Sequence, residues 1–156
     1  MPPDAASLVA AGPAGLDVSG VARLLIRFSE AVDGRRPADI AALFVAEGLF
    51  KPGDKAITGP AAIEAFYGER LRDPRRTTRH LWSNLTVARD GQEAVRIRVV
   101  LTNYALEPAV SESEVQMRLG EVTGRCVQDP NGEWLFAEHF YQRQYAVRLP
   151  CSEVRP

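Results

Sequence analysis

The chain has 156 residues and a formal charge of -1, with 19 basic and 20 acidic side chains scattered along its length. This is one domain's length, and its balance of 46% hydrophobic and 25% charged residues suits a packed core; the one-sided basic footprint of a nucleic-acid binder is missing. No window reaches membrane-spanning length, the short apolar run at Ser7 to Ala11 has no basic residue before it, and Cys126 and Cys151 fit neither metal-ligand spacing nor a disulfide framework. A chain kept in a reducing cytoplasm, off the membrane, is therefore expected.

Residues 1–18 mix Pro2, Pro3, Gly12, Pro13 and Gly15 with small residues and read as a mobile arm. Ser19 stands where an N-cap belongs, ahead of Val21, Leu24, Leu25, Phe28 and Val32 on one helical face. Asp33-Gly34 should end this helix, with Gly34 taking a left-handed turn. Pro37 opens a short second helix, with Asp39 in its first turn and Ile40, Leu43 and Phe44 as its stripe, followed by an extended piece around Leu49 and Phe50. Gly59-Pro60 opens a third helix carrying Ile63, Phe66 and Tyr67, and the charged run from Arg70 to Arg79, broken by Pro74, reads as a solvated connection.

From Thr77 the period changes to two. In the segment from Ala94 to Tyr104, Val95, Ile97, Val99 and Leu101 share one face, and Arg96 and Arg98 share the other. Val115, Met117 and Leu119 mark a strand over Glu114 to Cys126, and Asp129-Pro130-Asn131-Gly132 is a tight turn before a last strand from Glu133 to about Val147. On that strand Leu135, Ala137, His139 and Tyr141 share one parity and Trp134, Phe136, Glu138 and Phe140 the other. Both sets are apolar enough to be covered, so the pattern leaves its orientation open. Helices followed by long strands imply an α+β layering.

The order of elements and four short motifs, Ala31-Val32-Asp33, Gly59-Pro60-Ala61-Ala62-Ile63, Thr78-Arg79-His80-Leu81-Trp82-Ser83-Asn84 and Gly132-Glu133-Trp134, resemble the SnoaL-like branch of the nuclear-transport-factor-2-like superfamily over residues 20–147. The resemblance implies a cone-shaped α+β barrel, in which three N-terminal helices pack on a strongly curved, mostly antiparallel sheet around a deep pocket. Residues 19–149 would form this domain and 150–156 a tail. The fold serves dehydratases, isomerases, cyclases and members without chemistry, so resemblance alone does not choose among them. Relatives of the fold also suggest a homodimer through the sheet.

Asp33 and His80 match the aspartate and histidine of the acid-base pair in dehydratase and dehydrochlorinase relatives. Imidazole titrates near neutral pH, and a carboxylate on its far nitrogen fixes the tautomer, so His80 would take a proton and Asp33 would orient it. The plainer readings are a helix-ending aspartate and a satisfied, half-buried histidine. His139 falls where several relatives carry an arginine, and is either a second acid or donor, or an outward strand residue. Trp82 and Asn84 share the parity of His80 and would line the pocket with Tyr67 and Tyr104, each of which also reads as ordinary packing. Without a metal-spaced ligand cluster or a glycine-rich phosphate loop, no cofactor is expected. The expectation is a cofactor-independent dehydratase, isomerase or cyclase for a small, largely apolar molecule; the alternatives are a non-catalytic ligand-binding module or an accessory subunit.

Overall fold

A computed structural model describes residues 15–153, so most of the expected N-terminal arm and residues 154–156 lie outside the described residues. The first helix, α1, spans Val18–Asp33 and buries the predicted stripe of Val21, Leu24, Leu25, Phe28 and Val32. Its N-cap is Asp17 rather than Ser19, because the Asp17 carboxylate accepts both the Gly20 amide at 2.8 Å and the Trp134 indole N–H at 2.9 Å. One side chain thus caps the helix and ties it to the start of the last strand.

Gly34 ends α1, though not as predicted. Its φ is -82°, and the left-handed residue is Arg35 at 58°. Glycine is required at 34 for closeness, since a Cβ there would lie 2.7 Å from the Glu30 carbonyl oxygen. Arg35 then donates to the carbonyls of Leu71 at 3.1 Å and Pro74 at 2.7 Å. The segment after the third helix is therefore pinned to the end of α1, where the charge run alone suggests a solvated connection.

Helix α2 is brief, Pro37–Ala41, and Phe44 does not extend its stripe but opens strand β1, Phe44–Pro52. A two-residue β2, Ile57–Thr58, precedes α3, Pro60–Arg70, which buries Ile63 and Tyr67. Four long strands follow: β3 Thr77–Arg89, β4 Ala94–Leu106, β5 Glu114–Gln128 and β6 Trp134–Pro150. They form a six-stranded sheet in the order β2-β1-β6-β5-β4-β3, antiparallel throughout except where β1 runs parallel to β6. The sheet stays open, with β3 at one edge and β2 at the other.

Curvature comes from irregularities in register. Shifts occur between Ser83 and Thr86 in β3 and, in β5 against β6, at Leu119/Gly120 and Arg125/Cys126. At Gly120 and Gly124 a Cβ would stand 2.5 Å and 2.4 Å from β6 carbonyl oxygens, so the tight coil of the two strands needs glycine there. The concave face and α1 enclose the core, in which Phe28, Phe44, Phe50 and Phe136 pack edge-to-face or tilted at centroid separations of 5.3–6.4 Å. Each ring removed from water contributes about 1.5–3 kcal/mol. Among the described residues no helix is long and apolar enough to cross a membrane.

Candidate active site

Among the described residues strand β3 pairs only with β4, so backbone N–H groups along its outer side have no strand there to receive them. The end of α1 supplies an acceptor. Asp33 Oδ2 accepts the His80 backbone N–H at 3.0 Å, while Oδ1 accepts the Thr78 hydroxyl at 2.7 Å and meets His80 Nδ1 at 2.6 Å. The side chains of His80 and Asp33 are only 12% and 15% exposed, so this contact is shielded from bulk water. Burial pushes the Asp33 carboxyl up, but the hydrogen bond and charge of His80, then Thr78 and the His80 amide, outweigh it and hold the group below the usual aspartate value.

That geometry fixes the tautomer. A carboxylate oxygen 2.6 Å from Nδ1 demands a proton between them, so the neutral ring carries its proton on Nδ1 and its lone pair on Nε2. The Asn103 side-chain amide stands 3.0 Å from Nε2 and donates to it in that state. Asn103, Leu101 and His80 line a cavity of about 100 Å³ together with Phe28, Phe50, Tyr67, His139 and Tyr141, and Arg70, Arg76 and Arg118 line it as well.

Two of the cavity's polar walls are unpartnered. His139 is 1% exposed, stacks on Phe28 at a centroid distance of 4.7 Å, and has no hydrogen bond from the described residues at either ring nitrogen; the Tyr141 hydroxyl is likewise buried and unpaired among them. Desolvation pulls His139 down to about 3, with the charge of His80 adding to the effect, so this histidine is neutral at physiological pH. Burial raises the Tyr67 hydroxyl well above the ordinary tyrosine value. Among the described residues no group of three histidine, cysteine or acidic side chains could hold a metal ion.

Of the residues singled out in the sequence, His80, His139 and Tyr67 line this cavity, and Asp33 stands behind His80 at Nδ1 without lining it. Trp82 does not line it; its indole N–H is held by Ser29 Oγ on α1, and the ring packs edge-on to Phe28 at 6.5 Å. Asn84 is exposed, at the bulge of β3 with φ 55°, and its left-handed backbone ends the parity that starts at His80. Inward positions shift to Leu85 and Val87 beyond it. Tyr104 lies on the outer face of β4, where it pairs with Arg79 and Met117. Asn103 and Thr78 were open to a parity argument, since Asn103 continues Val95, Ile97, Val99 and Leu101, and Thr78 precedes His80 by two. The last strand turned out to use both its parities. Trp134 and Phe136 point inward, Ala137 is extra at a bulge, and His139 and Tyr141 take over the inner face.

The profile of the SnoaL-like domain matches residues 15–139. The chain belongs to the SnoaL-like family. Solved structures with the same fold include a putative scytalone dehydratase from Novosphingobium aromaticivorans, 21% identical with a TM-score of 0.74 over 88% of each chain. ActVI-ORFA from Streptomyces coelicolor is 19% identical, TM-score 0.71, over 81% of this SnoaL-like chain and 94% of its own. A hexachlorocyclohexane dehydrochlorinase (LinA, type 2) is 16% identical with a TM-score of 0.76, over 88% of this chain and 92% of its own. No curated protein sequence matches the chain. At these identities the likeness shows the fold, and the neighbours' names describe the neighbours.

Proposed function

We propose that this SnoaL-like chain is a cofactor-independent acid-base enzyme that removes a proton from a small, largely apolar molecule, in a dehydration, isomerisation or ring closure. The observation that carries this reading is His80 itself, tied at Nδ1 to a largely shielded carboxylate and placed with Nε2 among the residues lining the cavity. The names of the dehydratase and dehydrochlorinase neighbours agree with it.

In this reading Nε2 of His80 accepts the substrate proton, and Asp33 stabilises the imidazolium that forms. Proton and amide compete for one lone pair, so the Asn103 side chain must release Nε2 as the substrate enters. Rotated by half a turn, the same amide presents its oxygen to the new Nε2–H. His139, neutral and unpaired, and Tyr141 would hydrogen-bond polar atoms of the substrate. The aromatic walls exclude water, which strengthens each of these interactions. We further propose that the protein works in the cytoplasm, where its two free cysteines would stay reduced, and as a homodimer through the outer face of the sheet.

The test uses a panel of cyclic ketones and β-hydroxy ketones incubated with the protein in D2O, with loss of the α-hydrogens followed by proton NMR. Wild type should exchange or dehydrate at least one member. His80→Ala should lower that rate by about two to four powers of ten, and Asp33→Asn by a comparable factor, with affinity nearly unchanged. A member that binds in the cavity yet reacts no faster with wild type than with His80→Ala would leave a ligand-binding module.

A further inference from the structure

Two openings in the surface share one wall. The cavity beside His80 measures about 100 Å³, and a groove of about 960 Å³ lies between α3 and residues 107–110; Arg70 and Arg76 line both. Pockets for small molecules run to roughly 300–1,000 Å³, so the inner cavity by itself encloses only part of such a ligand. A ligand that reached from His80 into the groove would pass these arginines.

The wall carries unbalanced charge. Arg76 and Arg118 both pair with Glu107, each at 2.9 Å, and the three side chains are only 9%, 14% and 15% exposed. One carboxylate between two guanidiniums leaves one positive charge, and Arg70, with no ion pair among the described residues, adds another. The neighbouring acids are committed elsewhere, Glu69 to Arg72 at 2.7 Å and Asp73 to Arg75 at 3.1 Å. Arg70 lies on the exposed side of α3 beside the like charge of Arg76, and an arriving anion would relieve that repulsion. Arg76 and Arg118 already straddle a planar two-oxygen anion in Glu107, and guanidiniums recognise such groups through paired hydrogen bonds.

We propose that Arg70, Arg76 and Arg118 form a carboxylate-binding subsite, so that the molecule handled at His80 is an apolar acid with its ring or chain among the aromatic walls and its carboxylate on the arginines. The substrate class rests on the acid-base reading above, whereas the subsite does not depend on His80 transferring a proton. Glu107 acts as a positioning residue that holds two of the three guanidiniums.

Phenylacetate and its neutral analogue phenylacetamide distinguish the possibilities when each is titrated into the intact protein, with binding followed by NMR of the arginine Nε–H signals. Wild type should bind the acid at least about tenfold more tightly than the amide, and added salt should narrow the difference. Arg70 is exposed and has no ion pair among the described residues, so Arg70→Met should fold and should bring acid and amide to within about threefold of each other without weakening the amide. Asp33→Asn should keep the wild-type preference; this separates the two readings, because loss of turnover with the preference intact touches only the proton transfer. Equal affinity of acid and amide in wild type, or an undiminished preference in Arg70→Met, would overturn the subsite.

Discussion

At His139 the chain carries two ring nitrogens into a space walled by Phe28, Phe44, Phe50 and Phe136, side chains that offer no hydrogen bond. Protonation there would bury an unpaired cation, which is why its value falls to about 3 from an ordinary 6.5. The sign follows from proton counts. Between pH 6.5 and about 3 the unfolded chain binds a proton that the folded chain refuses, so this contribution to stability is complete above 6.5 and is lost as pH falls. Its slope approaches about 1.4 kcal/mol per pH unit inside that window. Asp33 adds a loss of the same sign further down, because a lowered carboxyl stabilises the fold above its unfolded value of 3.8 and stops doing so as pH falls through the folded value. Urea titrations of wild type and His139→Phe from pH 7 to 4.5 should show the wild-type midpoint falling and the variant's nearly level; parallel curves would mean that His139 titrates in the folded state. The sequence flagged His139 because relatives carry arginine there. It did not show that the replacement is neutral, since the four phenyl rings come from α1, β1 and β6 and meet only in the fold.

At the scale of single elements, what sequence legibly carried was periodicity, and what it hid was the interruption of periodicity. The stripe of α1 and the face of β4 came through because each has one uninterrupted period with apolar residues in phase. Asn84 and Ala137 each add a residue to a strand, and beyond them every side chain changes face. Hence Asn84, expected beside His80 in the pocket, stands exposed, and His139 shares the inner face with Phe136 although their parities differ. The Asp33–His80 pair was legible because Asp33 ends the uninterrupted stripe of α1 and His80 lies ahead of the bulge in β3. Asn84 tests the point directly. Its φ of 55° suits asparagine or glycine and opposes a β-branched residue, and its exposed side chain has no packing to lose. Asn84→Gly should leave the urea midpoint nearly unchanged, and Asn84→Val should destabilise the fold by about 1–2 kcal/mol. Equal stability of the two would mean that β3 can run straight through this position.

Across the whole molecule, the concave face of the sheet is used up by the core and the cavity, while the convex face keeps apolar side chains that no element among the described residues covers. Leu81 at 52% exposure, Tyr145 at 51%, Val147 and Leu149 at 40% and Tyr104 at 36% all lie on it. They are in register, Leu81 with Thr102, Leu119 and Tyr145, and Tyr104 with Met117 and Val147, so they form adjoining rows across β3 to β6. Contiguous apolar area of this kind is uncommon on a monomer, and a two-fold pairing of identical faces buries it with one patch serving both partners. The homodimer proposed above uses this face and leaves the cavity free, because the arginine wall and His80 open on the opposite side of the sheet. Light scattering behind size exclusion should give wild type twice the chain mass of 17.1 kDa. Val147→Glu places a charge between Tyr145 and Leu149 on a half-exposed side chain of these rows, so it should give the monomer mass with an unchanged circular dichroism spectrum. A wild type that stays monomeric at tens of micromolar would refute the pairing, and the exposed rows would then need a different partner.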